Sequence, residues 1–473
     1  MAVEKALMKL LLVCLFLVAC TKPNPNRCCT DQADCTANNI AVDSTCDVGL
    51  LCRGHQCISV PCNSSANCDE SAPYCVADSC GMQCDDDGQC PGYSQSGEYC
   101  VAGGCVECRD SADCSAAAPV CDASACRLCE AHLECGTGAC AADGTCASES
   151  SIAYIDANGA ATSDCTRSSP CSTITRALAL MPARPYLVIA AGAYPNAAAL
   201  SPSAERWLIG TGAPPSLTRT TDGPIISVTG GGADLHLDNL IIEGATGNSG
   251  DGIYFTQIGA VAELTLHHVT VRNNSQSGLN AVGPIVATES TFSNNGFQGV
   301  RLSESVATFD RCLVTENDAG MDLDGGRYTV TNTLISRNTS SVYAVYGINL
   351  YSTIGGHRIE FNTIVDNVNL AASVGAGFGC NLSAATSFPN NIIARNTKQT
   401  QGSNCFYPNS LISDADISAL KFRSPDTAPY DYHLQTGSTA IDAATVSTVD
   451  HDFDGDARPN GPGRDVGADE YVP

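Results

Sequence analysis

The chain has 473 residues, 24 basic against 50 acidic, and a formal net charge of −26. Such an acid surplus excludes nucleic acid as a partner and excludes polybasic attachment to anionic lipid. Only 16% of residues are charged, below the usual share of about a quarter, and Gly, Ser, Thr, Asn and Ala fill the difference as in exported β-rich proteins.

The first residues, "MAVEKALMKLLLVCLFLVAC", place Lys5 and Lys9 ahead of an apolar run from Leu10 to Val18. The run is too short to span a bilayer and reads as a signal peptide over residues 1–19. "LVAC" at Leu17–Cys20 resembles a bacterial lipobox. That resemblance implies cleavage before Cys20, lipid modification of Cys20, and attachment to a membrane through it. Thr21, rather than aspartate, after the cysteine implies sorting to the outer membrane or cell surface. Residues 20–27, with "TKPNPN", read as an extended tether.

Cysteines then dominate. Of 29 in the chain, 24 lie at or before Cys146. Residues 28–147 repeat a four-cysteine unit: Cys62, Cys68, Cys75 and Cys80, then Cys84, Cys90, Cys100 and Cys105. Cys108, Cys114, Cys121 and Cys126 follow, then Cys129, Cys135, Cys140 and Cys146, and a longer first unit uses Cys29, Cys35, Cys52 and Cys57. Units of this size cannot bury a core, so crosslinks must substitute for one. Zinc is the competing reading of "CRLC". The region holds only two histidines, His55 and His132, and an exported chain meets an oxidising compartment, so disulfides are expected. Their connectivity is open. "SADC", "APVC" and "APYC" resemble phrases in the cysteine-rich stalks of myxobacterial-type surface lipoproteins.

From 151 to 473 the chain reads as an all-β domain. Asparagine returns behind a β-branched run at Asn274, Asn295, Asn317, Asn338, Asn367 and Asn396, at intervals of 21, 22, 21, 29 and 29 residues. Between these runs lie short strands such as "ELTL" before His267, and strands of the form Gly, apolar, any, apolar, as in "GIYF" at Gly252, "GVRL" at Gly299, "GMDL" at Gly320 and "GINL" at Gly347. Three strands and their turns in 21 or 22 residues make one coil of a right-handed parallel β-helix. Coils stack about 4.8 Å apart, so equivalent asparagines meet and can hydrogen-bond as a ladder. The asparagines are also expected to take the left-handed backbone of a sharp corner. Cys312 falls in an inward column and reads as a buried free thiol. Cys380 and Cys405 are candidates for a pair across neighbouring coils, and Cys165 and Cys171 for a small closed loop.

"CTRSSPCSTITRALALM" with "YLVIAAGAYP", within residues 151–195, resembles the N-terminal cap of bacterial pectin-lyase-like proteins, in which a short helix covers the first coil. "STAIDAA" and "DFDGDARPNGPGRDVGADEY", within residues 430–473, resemble the closing segment of the same group. The resemblance implies the fold and leaves the activity open, because this fold carries lyases, hydrolases, epimerases and adhesins.

The outward column of the first strand is expected to be Thr265, Val286, Thr308, Thr329, Arg358 and Ser387, and that of the third strand Tyr254, Asn280, Arg301, Asp322 and Asn349. The candidate catalytic groups are Arg301, Asp322 and Asp324, with a surface ion pair between Arg301 and Asp322 as the structural alternative. In "DHDFDGDARP", Asp452, Asp454 and Asp456 alternate about Gly455 in the manner of oxygen ligands around Ca2+, against the alternative of a polar capping turn. No other cofactor is implied. These features point to a membrane-anchored surface lipoprotein whose β-helix binds polysaccharide or a surface protein without turning it over. The alternatives are a polysaccharide lyase or glycoside hydrolase, and a purely structural envelope protein.

Overall fold

The structure is a computed structural model that describes residues 99–473 apart from 181, 231–232, 258–261, 343, 371–374 and 414–415, and before them only 50–53, 56–59, 74–76, 79–81, 84 and 87–90. The signal peptide, Cys20, the tether and the first cysteines of the repeat region lie outside the described residues. The chain divides into two compact units, residues 1–135 with 140–146, and residues 136–139 with 147–473.

In the first unit each described four-cysteine repeat joins its first cysteine to its third and its second to its fourth. Cys84–Cys100 and Cys90–Cys105 form one such pair of bridges, Cys108–Cys121 and Cys114–Cys126 the next, and Cys129–Cys140 and Cys135–Cys146 the last. The third and fourth cysteines face each other across a small antiparallel hairpin, as Cys100 does Cys105 and Cys121 does Cys126. The hairpin therefore holds the two bridges side by side, and Cys108, Cys129 and Cys135 are buried where an apolar core would otherwise sit.

The second unit is a three-sided parallel β-helix. Its first sheet has nine strands, from Ile152–Ala160 to Arg358–Glu360; its second has ten, from Ala193–Asn196 to Leu411–Ser413; its third has eight, from Ile226–Thr229 to Thr400–Phe406. Alternation along each strand sends one set of side chains inward. The second sheet contributes Val271, Phe292, Val314, Ile335, Ile364 and Ile393, one per coil and each fully buried. Ile174–Leu178 forms a short helix at the N-terminal end, with Ile174 and Ala177 buried. Cys165 and Cys171, just before it, are bridged. Cys380 and Cys405, on adjacent strands of the third sheet, are bridged as well. Cys312 is a buried free thiol pushed up to about 12 by its burial.

Every ladder asparagine donates its side-chain N–H to the next. The distances are 3.0 Å from Asn274 to Asn295, 2.8 Å to Asn317, 3.0 Å to Asn338, 2.7 Å to Asn367 and 2.9 Å to Asn396. The same acceptor oxygen also takes the backbone N–H of the preceding asparagine, as Asn317 Oδ1 does from Asn295 at 3.0 Å. Gln399 ends the column by accepting from Asn396. The left-handed residue is not the ladder asparagine but the one before it: Asn273, Asn294, Glu316, Arg337, Asp366 and Arg395 have φ between 54° and 58°. The corner's backbone strain thus falls on an outward residue, while the amide turns inward to bond.

The glycine opening each third strand has a steric cause. A Cβ on Gly299 would lie 2.7 Å from Asn317 Nδ2 and 2.7 Å from Val314 Cγ1. Gly252, Gly278, Gly347 and Gly377 approach their own ladder amides in the same way.

One column differs from expectation. Thr265, Val286, Thr308, Thr329 and Arg358 do align on the first sheet. Ser387 instead ends the thirteen-residue strand Gly375–Ser387 of the third sheet, opposite Phe406. That strand shifts register between Asn381 and Thr386, which breaks the count on which the alignment rested.

Residues 430–473 pack along the last coils. Tyr432, Leu434, Ala440 and Val466 join Val365, Ile392 and Ala394 of the second sheet in one apolar cluster. Arg458, fully buried, donates to Glu470 Oε2 at 2.9 Å and to the carbonyls of His451, Asp465, Gly467 and Ala468.

Two substitutions test the ladder. Asn317→Leu leaves donors and acceptors on Asn295, Asn338 and the corner backbone without partners, at about 1–3 kcal/mol for each, so the melting temperature of the β-helix should fall clearly, while Thr308→Ser on the outward face of the first sheet should leave it within about 0.5 kcal/mol. Gly299→Ala should also lower it, by an overpacking cost of about 1–3 kcal/mol. Thermal denaturation followed by circular dichroism reads all three; equal effects of Asn317→Leu and Thr308→Ser would show that the ladder does not hold the coils.

Candidate functional site

On the third sheet Ser227, Tyr254, Asn280, Arg301, Asp322 and Asn349 stand in register on successive coils. Their side chains alternate with the inward residues and so face outward in a row. A cleft of ≈ 420 Å³ lies over the N-terminal part of this row. Tyr254, Asn280 and Arg301 floor it, Asp251 and Ser277 lie at its edge, and the turns between second and third sheets add Asn248, Gln276 and Phe297.

Asp251 is the group that sequence reasoning passed over. It precedes Gly252 at the mouth of the third strand and is buried. Its Oδ1 accepts the backbone N–H of Ser277 at 3.0 Å and its Oδ2 the amide of Asn280 at 3.1 Å. Burial raises its pKa, opposed by those two bonds and by the charge of Arg301. Asp322 has the same character: burial raises it, and the amide of Asn349, at 2.9 Å from Oδ1, and the charge of Arg301 oppose the rise. The expected Arg301–Asp322 ion pair is therefore replaced by an Asn349–Asp322 hydrogen bond. Arg301 is exposed and, among the described residues, makes no hydrogen bond or ion pair. Asp324 is exposed opposite Ser303 at the end of the same strand. Only adjacency to the glycine of a third strand could have marked Asp251 in the sequence.

The carboxylates of Asp251 and Asp322 lie on either side of Arg301, one bonded to Asn280 and the other to Asn349. Three coil steps separate the strand that Asp251 precedes from that of Asp322, on the order of 14 Å between backbones at about 4.8 Å per step, and the Asp251 carboxylate reaches one of those steps toward Asn280. A pair that hydrolyses a glycoside with inversion spans roughly 6.5–9.5 Å. The row can offer planar polar groups, two carboxylates, two amides and a guanidinium, to vicinal hydroxyls.

The three terminal aspartates differ in their surroundings. Asp452 is fully buried, and its Oδ1 accepts the backbone N–H groups of Asp454 and Asp456 at 2.9 Å and 2.8 Å, its Oδ2 that of Glu470 at 2.9 Å. Asp454 reaches His433 Nε2 at 2.7 Å, and Asp456 is exposed. His267 and His268 lie on the corner between first and second sheets, where His267 Nδ1 is 2.7 Å from Asp238 and His268 is paired with Glu289.

Residues 225–353 and 251–412 match the family model described as the right handed beta helix region. No curated protein matches the chain. Among solved structures, one titled "Crystal structure of pectate lyase Pel9A" is similar at 16% identity and a TM-score of 0.46, over 68% of this chain and 96% of that one. The coils described above form a right-handed parallel β-helix.

Because burial raises both neighbouring carboxyls and the charge of Arg301 opposes that rise, Arg301→Ala should raise the titration midpoints of Asp251 and Asp322 further. Carbon-detected NMR titration of the carboxyl groups measures this; a shift in neither would show that the guanidinium does not bridge the row.

Proposed function

We propose that the β-helix is the binding head of an exported, lipid-anchored surface protein, and that the cleft on its third sheet holds a neutral polysaccharide without turning it over. One observation carries the reading: Arg301 stands exposed and uncommitted on the cleft floor, between carboxylates whose other partners are amides. Such a group is set to take hydroxyls from a ligand, and Tyr254 supplies a ring on which a sugar face can rest. A neutral chain suits the site better than a uronate polymer. The formal charge of −26 repels polyanions at long range, and two carboxylates outnumber the one guanidinium in the row.

A glycan array on the mature protein, followed by titration calorimetry on the strongest neutral hit, tests this. Arg301→Ala should weaken binding by about 10- to 100-fold, the loss of a charge-assisted hydrogen bond of about 1.5–3 kcal/mol, with the melting temperature unchanged. No reducing ends and no unsaturated sugars should appear on prolonged incubation. Release of either product, abolished by Asp251→Asn or Asp322→Asn, would make the protein a hydrolase or lyase instead.

A further inference from the structure

The strongest cluster outside that cleft lies where residues 430–473 fold onto the second sheet. His433, Asp454 and Asp469 each bring one ligand atom to a common point, all within 4.8 Å of one another. Three separate stretches of chain supply them, so the convergence is a product of the fold. We propose that His433, Asp454 and Asp469 bind one divalent transition-metal ion of the Zn2+ class, with Asp431 orienting the imidazole.

The geometry carries this in four ways. Asp431 Oδ1 lies 2.5 Å from His433 Nδ1, which sets the tautomer and turns Nε2 toward Asp454 and Asp469, the carboxylate–histidine arrangement that metal-ligating imidazoles use. Asp469 is nine-tenths buried, and only its Oδ2 has a partner, the backbone N–H of Leu434 at 2.6 Å. Its Oδ1 accepts no hydrogen bond among the described residues. A cavity of ≈ 20 Å³ is bounded by His433, Asp469 and Phe453, with Asp454 outside its lining, enough for one water-sized species, which needs about 10–15 Å³. Finally, three carboxylates, those of Asp431, Asp454 and Asp469, face two cationic groups, His433 and Arg423. The cluster is short of positive charge.

The donor set decides the class of ion. One imidazole nitrogen and two carboxylates suit Zn2+, at about 2.0–2.2 Å from each, with a further position left open. Ca2+ takes six or more oxygens and no nitrogen. Asp452 cannot add to the set, since its two oxygens already accept three backbone N–H groups. The "DFDGD" turn thus serves the site indirectly: Asp452 clamps the turn from inside, and the turn carries Asp454 to His433.

The test uses the full mature chain, stripped with chelator and titrated with Zn2+ and, separately, with Ca2+ by calorimetry. One equivalent of Zn2+ is expected, with a rise in melting temperature and weaker binding of Ca2+. His433→Gln should abolish binding, and Asp454→Asn, a change at a half-exposed position, should weaken it at least ten-fold. His267→Gln, in the cluster with Asp238 and His268, should leave it unchanged. No Zn2+ uptake by the parent chain, uptake undiminished in folded His433→Gln, or a preference for Ca2+ would each overturn the assignment. The visible spectrum of the Co2+ form decides even where a variant fails to fold. Bands of a nitrogen- and oxygen-ligated ion support the site, and a thiolate charge-transfer band would place the ion on cysteines and overturn it.

Discussion

The interaction on which the rest of this domain depends is the amide-to-amide hydrogen bond between successive coils. A parallel β-helix has backbone bonds along its whole length, but these alone permit a coil to slip by one residue, which would turn every inward side chain outward. The buried asparagine column forbids the slip. Asn317 Oδ1 accepts both the side chain and the backbone of Asn295, and only one register satisfies both. The glycine that opens the third strand completes the constraint, because Gly299 leaves the space that the Asn317 amide fills. With register fixed on every coil, Tyr254, Asn280, Arg301, Asp322 and Asn349 fall into one line. That polar row is a consequence of the ladder.

What the sequence discloses follows the range of the interactions. Period, asparagine column and glycine-led strands are legible because each coil repeats the same local solution, so Asn295 and Asn338 stand at the same offset from their strands as Asn317. A second column is also written there and went unread: Asn362 accepts from Thr333 and bonds in turn to Asn391 at the corner between first and second sheets. It covers only the last coils, since Ser290, Cys312 and Thr333 occupy the same place earlier, and two positions make no visible period. The register shift in Gly375–Ser387 and the left-handed residues one step before the ladder depend on backbone geometry that residue type marks only weakly.

The site residues were less legible for the same reason. Asp322 and Arg301 announce themselves by their column, whereas Asp251 gains its meaning from Ser277 and Asn280, a coil away. In the closing segment the distances grow further. Asp454 meets His433 from 21 residues on, and His451 meets Asp310 across 141. A local pattern, three aspartates about a glycine, suggested a calcium loop there. In the fold Asp452 accepts three backbone N–H groups and Asp454 reaches His433, while Asp456 is exposed, because a buried carboxylate such as Asp452 is satisfied first by the nearest backbone N–H groups.

That closing segment also explains which face remains open. It carries a fully buried ion pair, Arg458 with Glu470, whose desolvation cost is large unless further hydrogen bonds offset it. Four carbonyls around Arg458 and the backbone N–H groups of Asp465 and Asn460 around Glu470 provide them. The result is a segment with one geometry, and it lies along the last coils through Tyr432, which donates to Asp366 at 2.5 Å, and Tyr430, beneath Arg337 at 3.3 Å. The second sheet is thereby covered at that end. At the opposite end Ala139 and Ala147 cover Tyr154, Val188 and Ile209 of the first sheet. The outward column of the first sheet runs from Trp207 stacked on His236, through Thr265, Val286, Thr308 and Thr329, to Arg358, which reaches Thr448 of the closing segment. Among the described residues the third sheet sets charged and amide side chains in register along an open cleft, and that is why we propose binding there.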